Sequence, residues 1–209
     1  MNSDKNKFII LAYLLFFICS CSQNDSFPLQ TLEIYGRSDP TTHSSKELIY
    51  RMQVPIDWNV QFPSSDASLI DTKEPLLTLT KSDVIVTFHN FPTSDLSHRI
   101  PVMAQATRWK NQFSEIDESH LHLLPFAVSG FIGIQFDGTG IQKGSPVRVL
   151  AWALQLTPEL FQKLPNNAFQ QKADLTLKAV GPPENLAALE TELILIASSI
   201  ELIQEISFR

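Results

Sequence analysis

The sequence predicts an α+β domain built on a central antiparallel sheet. Short stretches of alternating apolar and polar residues follow one another with turn residues between them. Two amphipathic helical stretches stand among them, near residues 101–113 and 183–200. Because the strands mostly succeed one another directly, an antiparallel sheet of about six or seven strands with two main helices is favoured.

In the first half of the domain, residues 48–53 alternate and predict a strand that ends at Val54-Pro55. Residues 75–80 and 84–88 flank a polar turn and predict a hairpin. Pro101 is well placed in the first turn of a helix. The apolar residues of this helix recur at steps of four, three and four and define a core face, and they are Val102, Ala106, Trp109 and Phe113.

In the second half, residues 126–136 predict one strand that contains two glycines, and Gly138, Gly140 and Gly144 predict the turn after it. Residues 147–156 are strongly apolar and predict a central strand, and residues 174–180 alternate and predict another. A final helix follows Gly181-Pro182-Pro183, with one apolar stripe composed of Leu186, Leu189, Leu193, Ile196 and Ile200.

The amino terminus has the pattern of a secretory signal. Lys5 and Lys7 precede an apolar run over residues 8–18, which is shorter than the roughly 20 residues that a bilayer span needs. The next residues, Ile18-Cys19-Ser20-Cys21, resemble the lipobox of bacterial lipoproteins. This resemblance implies cleavage before Cys21, diacylglyceryl attachment to its sulfur and acylation of the new amino terminus. The alternatives are an ordinary signal or an uncleaved anchor, and Cys19 is a second candidate for the modified residue.

We therefore expect residues 1–20 to be a signal peptide, residues 21–46 to be the lipidated cysteine with a flexible tether, and residues 47–209 to be one globular domain. Within the tether, Leu32 and Ile34 alternate with polar neighbours and could form a short strand. The expected location is extracytoplasmic and membrane-anchored. Ser22 after the modified cysteine resembles the pattern that directs lipoproteins to the outer rather than the inner membrane of two-membrane bacteria.

The net charge and the cysteine content exclude several classes of function. Removing residues 1–20, which contain Asp4, Lys5 and Lys7, takes the formal charge from −6 to −7. An acidic surface disfavours nucleic acid, because such binding depends on Lys and Arg at phosphates. Cys19 and Cys21 are the two cysteines, so a processed domain has no disulfide and no thiol chemistry.

The order of elements over residues 47–203 is similar to the PsbP/Mog1-like superfamily. Three motifs support this resemblance: Val54-Pro55 with Trp58, the helical Trp109-x-x-Gln112, and Val180-Gly181-Pro182 before the last helix. The resemblance implies an α/β/α sandwich, in which helices cover both faces of the antiparallel sheet. It also implies a binding or assembly factor rather than a catalyst, but it specifies no partner. We expect no cofactor and an envelope protein as the partner.

Two groups of residues are candidate sites. Polar residues on the first helix, Gln105, Arg108, Lys110 and Gln112, could line a binding surface. His120 and His122, which follow three acids, could bind zinc if the segment is extended, and a metal-dependent or other hydrolase is therefore one alternative function. The other histidines and serines lack a nucleophile motif. A carrier of a small apolar ligand is a further alternative.

Changing Cys21 to Ser should abolish lipid attachment and leave an unprocessed, larger species in the membrane fraction, because the acceptor thiol is lost. Cys19→Ala is the control and should label and mature normally. Radiolabelled lipid incorporation measures both. Label retained in Cys21→Ser and lost in Cys19→Ala would contradict the assignment.

Overall fold

A computed structural model describes residues 27–37, 47–63, 72–166, 168 and 170–203. The strands are β1 Leu29–Tyr35, β2 Leu48–Pro55, β3 Asn59–Gln61, β4 Leu77–Lys81, β5 Val84–Phe91, β6 Glu115–Ile116, β7 His122–Val128, β8 Phe131–Gln142, β9 Ser145–Leu156, β10 Asp174–Gly181 and β11 Glu201–Leu202. The α-helices are α1 Val102–Lys110, α2 Pro158–Lys163, α3 Pro183–Ala188 and α4 Glu190–Ser198. Short 3₁₀ turns cover Leu96–His98 and Glu118–His120.

The strands form two antiparallel sheets. The main sheet has eight strands in the order β3-β4-β5-β10-β9-β8-β6, with β7 also paired to β8. The second sheet has the order β1-β2-β11. The predicted α+β class with a central antiparallel sheet is confirmed, and the three-stranded sheet is an addition to it.

Strand β9 divides the hydrophobic core in two, because successive side chains of a strand point to opposite faces. Leu150, Trp152 and Leu154 lie in the larger core, together with residues of the small sheet, α3 and α4. Val149 and Ala151 alternate with them and lie in the smaller core, which α1 covers. Helices therefore pack on both faces of the main sheet.

Helix α1 buries the face that its spacing predicts. Ala106 and Trp109 are buried, and Phe113, just beyond the helix, is 9% exposed. The Trp109 ring meets Phe136 of β8 edge-on, with 5.8 Å between ring centroids. The indole thus anchors α1 to the main sheet.

A buried glutamate connects the last helix to the neighbouring strands through hydrogen bonds and an ion pair. Glu192 of α4 is 6% exposed. It accepts a hydrogen bond of 2.6 Å from the Trp58 indole nitrogen, and its two carboxylate oxygens each lie 2.8 Å from the Lys81 ammonium. Lys81 also pairs with Asp57 at 2.7 Å. These contacts join α4 to the end of β4 and to the turn after β2.

Three predicted boundaries in the second half of the chain are wrong. The strand expected over residues 126–136 is two strands, β7 and β8, joined by Ser129 and Gly130, whose φ angles are 45° and 83°. The next turn is Lys143-Gly144, and the two earlier glycines lie within β8. The final helix is interrupted at Leu189, which separates α3 from α4.

The predicted tether is too long. Strand β1 lies within residues 21–46 and pairs with β2 over its full length. Arg37 beyond it is 2% exposed and donates hydrogen bonds to the Asn90 side chain at 3.0 Å and to the Glu74 carbonyl at 2.7 Å. The fold therefore begins before residue 47. Cys21 and the predicted signal peptide lie outside the described residues.

Replacing Trp109 with Ala should lower the free energy of unfolding by about 3–5 kcal/mol, because the change leaves a cavity between α1 and the main sheet. Arg108→Ala, at the exposed neighbouring position, should change it by less than about 0.5 kcal/mol. Urea denaturation of the chain from Ser22 onward, which contains every described element, measures both values. An unchanged Trp109→Ala with a strongly destabilised Arg108→Ala would contradict this orientation of α1.

Candidate functional site: a half-open face of the main sheet

The described part of the chain covers only half of the smaller-core face of the main sheet. Of the helices that the structure describes, α1 alone packs on this face, against β8 and β9. The same face continues onto β3, β4 and β5, where the inward neighbours Val60, Leu79, Val86 and Phe88 pack in the larger core. We call this uncovered half the open face, and its outward residues are Asn59, Gln61, Thr78, Thr80, Ile85, Thr87 and His89.

Lys178 marks the boundary between the open face and α1. Its Cα pairs with Thr87 on one side and with Ala151 on the other, so its side chain projects beside the helix. The Lys178 ammonium donates a short hydrogen bond to the Gln112 side-chain oxygen. Gln105, Arg108 and Gln112 follow at steps of three and four, which places them along one side of α1 and its terminal turn.

Positive charge accumulates at this boundary. Burial, and next the nearby Arg108 guanidinium, lower the pKa of Lys178 to about 8. Burial is the main cause that lowers the pKa of His89. A hydrogen bond with the Thr72 carbonyl partly opposes this shift, and the positive charges nearby, on Arg37, Arg108 and Lys178, lower the pKa further. We call Arg108 and Lys178 the cationic cluster; His89 lies beside it and is uncharged at neutral pH, because its pKa is lowered from the ordinary value of 6.5.

No acid compensates this cluster among the described residues, since neither Arg108 nor Lys178 takes part in their ion pairs. Asp174 lies further along β10 on the same face, but its carboxylate is already occupied. Arg99 lies 2.8 Å from it, and the Ile100 backbone and the Gln155 side chain each donate to it at 3.0 Å. The cluster therefore presents net positive charge on an acidic protein.

The structure separates the four residues predicted as a binding surface. Arg108 and Gln112 lie beside Lys178, as described above. Gln105 is 6% exposed, so its prediction as a surface residue is wrong. Lys110 points elsewhere and forms an ion pair of 2.7 Å with Glu118.

Sequence reasoning missed Lys178 as a site residue. It could have been recognised as a lysine within a predicted strand whose residues alternate between apolar and polar. Partial burial of a charge at such a position lowers stability unless an opposite charge or a ligand compensates it. Thr87 and His89 belong to the predicted hairpin, but nothing in the local pattern places them next to the helix that carries Arg108. The pairing of β5 with β10 brings them there.

A shallow cleft adjoins the cluster at the start of α1. Its cavity volume is about 10 Å³, and it is lined by residues including Phe91, Val102, Gln105 and Thr176. Pockets that bury a small ligand usually enclose about 300–1,000 Å³. This cleft therefore offers little support to the alternative of a small-ligand carrier.

The two predicted metal ligands lie far out on the surface. The His120 imidazole is 2.7 Å from the Asp117 carboxylate, and 69% of its side chain is exposed. Hydrogen bonds from Ser119, and then from His120, lower the pKa of Asp117 to about 2. His122 opens β7 and is exposed. Within the described ranges, no group of three His, Cys, Asp or Glu residues is placed to hold a metal ion.

Comparisons with known proteins bear on the fold. No family model matches the chain, and no curated protein matches it. The crystal structure of LpqN, involved in cell envelope biogenesis of Mycobacterium tuberculosis, matches with a TM-score of 0.51 at 15% identity, covering 84% of this chain and 92% of LpqN. The shared property is the fold.

The solution structure of cyanobacterial PsbP from Synechocystis sp. PCC 6803 matches with a TM-score of 0.49 at 11% identity, covering 88% of this chain and 98% of that one. A score at this level adds no argument by itself. The architecture expected from the PsbP/Mog1-like resemblance, an antiparallel sheet with helices on both faces, is nevertheless the one observed. Among the described residues, no helix is long and apolar enough to cross a bilayer.

Lys178→Met should stabilise the protein at pH 7. The folded-state pKa of Lys178, about 8, lies below its ordinary value of 10.5, so protonation disfavours the folded state. This cost is absent above pH 10.5, grows as pH falls towards 8 and is complete below 8. At pH 7 the free energy of unfolding of the variant should therefore exceed that of the parent by about 1–2 kcal/mol, after allowance for solvent screening.

Urea denaturation of parent and variant at pH 7 and pH 10.5 tests this difference, because the other titrating groups are common to both proteins. Lys163→Met, at an exposed position at the end of α2, is the control and should show no pH-dependent gain. A gain for Lys178→Met that is equal at both pH values would show that its charge carries no cost.

Proposed function

We propose that this protein is a lipid-anchored, extracytoplasmic envelope protein that binds another envelope protein through its open face and performs no catalysis. The amino-terminal pattern ending at Cys21 supports the anchor and, with Ser22, an outer-membrane destination. The shared fold with LpqN, a protein involved in cell envelope biogenesis, supports the envelope setting.

The observation that carries the binding role is the uncompensated cationic cluster beside the open face. A chain selected for stability alone would gain by replacing Lys178, since burial and Arg108 both disfavour its charge. Residues that lower the stability of the fold are typical of functional surfaces. The adjacent face is broad and shallow, which suits the surface of another protein better than it suits a small molecule.

The apolar residue of the open face adds to this support. Ile85 is 50% exposed on β5, between Thr80 of β4 and Val180 of β10. Interfaces commonly combine such an apolar centre with a polar rim. Here the threonine-lined strands and the cationic cluster form that rim.

A photoreactive benzoylphenylalanine in place of Ile85 tests the proposal in intact cells. We expect illumination to give a discrete crosslinked protein product, because the side chain would lie within the interface. The matched control carries the same group at Gln162, an exposed position of α2 on the larger-core side. Identical products from both positions, or none from Ile85, would contradict the proposed surface.

A further inference from the structure

We infer that the open face recognises an acidic segment of the partner protein, whose carboxylates bind between Arg108 and Lys178. This inference rests on the proposed function and specifies the chemistry of the partner.

Both cations have donors that no described acceptor takes. Lys178 has three donor hydrogens, and Gln112 accepts one of them. Arg108 is exposed, and none of the hydrogen bonds or ion pairs of the described residues includes its guanidinium. Gln112 lies one helical turn after Arg108, so its hydrogen bond with Lys178 places both cations along the same edge of α1.

A carboxylate fits this arrangement in geometry and charge. Arginine binds carboxylates through two parallel hydrogen bonds, and a lysine beside it adds a third charged donor. Thr87 is the direct cross-strand neighbour of Lys178 and contributes a hydroxyl at the same site. An incoming negative charge would also offset the repulsion among the members of the cationic cluster.

The surroundings of the cluster favour a polypeptide over other anions. Ile85 precedes Thr87 by two residues on β5, so it lies on the same face and is available to an apolar side chain that neighbours the acid. A free phosphate ion would leave this apolar surface unused. Anionic lipid is disfavoured because electrostatic binding to a membrane surface depends on clusters of about four to eight Lys or Arg residues, and this cluster has two.

Binding of defined probes to the isotopically labelled chain from Ser22 onward tests the inference. The first probe is an acetylated, amidated peptide of sequence Glu-Glu-Ile-Glu-Glu, and the others are inorganic phosphate and vesicles containing phosphatidylglycerol. We expect the peptide to perturb backbone NMR signals around Thr87, Arg108 and Lys178. Arg108→Gln and Lys178→Met should each weaken it at least about fivefold, as lost charge-assisted hydrogen bonds do.

Lys163→Met is the charge-matched control and should bind the peptide like the parent. Equal affinity in all four proteins, or no peptide binding, would overturn the inference. Tighter binding of phosphate or of the vesicles, lost in the same two variants, would overturn it in favour of a phosphate ligand. The NMR spectra of the variants report their folding directly, and Lys178→Gln replaces Lys178→Met if the latter is misfolded.

The Ile85 crosslink separates this inference from the proposed function. A product that persists unchanged with Lys178→Met would keep the open face as a binding surface and overturn recognition of an acid. Peptide binding that depends on the cluster, without any Ile85 product in cells, would support acid recognition and overturn the proposed interface.

Discussion

The rest of the structure depends on the need to bury both faces of the central strands. β9 places Leu150 and Trp152 on one face and Val149 and Ala151 on the other, and all four are fully buried. One face is covered by a second sheet and three helices, whereas α1 is the only described helix on the other. A helix is about 10 Å wide and strands lie about 4.8 Å apart, so one helix covers roughly two strands. The remaining strands must therefore carry side chains that tolerate water, and they carry mainly threonines, Asn59 and Gln61.

This partial cover explains why the chemically distinctive residues lie where they do. Along the edge of α1 a side chain is shielded by the helix but still reached by solvent. A cation placed there keeps its charge near neutral pH but does so at an energetic cost, as the pKa of Lys178 shows. Arg108 occupies the same boundary, and no described acid pairs with it. The uneven cover of the sheet thus creates a surface at which an added negative charge is favourable.

The two ends of the described chain meet in the small sheet, which has consequences for the anchor. β1 and β11 both pair with β2, and Arg37 fastens the residues after β1 to Asn90 of the main sheet. Eight peptide steps separate Cys21 from Leu29, a distance of at most about 28 Å when fully extended. Under the proposed lipidation, the small sheet would lie close to the membrane. The tether expected over residues 21–46 would allow the domain to stand much further away.

The sequence by itself determined the features that follow from local periodicity and turn chemistry. These include the core face of α1 with Trp109, the central strand β9, and the hairpin turn Ser82-Asp83, where both φ angles are positive. Tertiary structure decided what depends on pairing between distant segments. In β1 only Leu32 and Ile34 mark the alternation clearly, and the register with β2 fixes the strand, while the apolar residues on both sides of Ser129-Gly130 hide the turn between β7 and β8. Lys178 and Arg108 are 70 residues apart and come to the same edge of α1 only through the strand order, since side-chain periodicity specifies a face but not its neighbour.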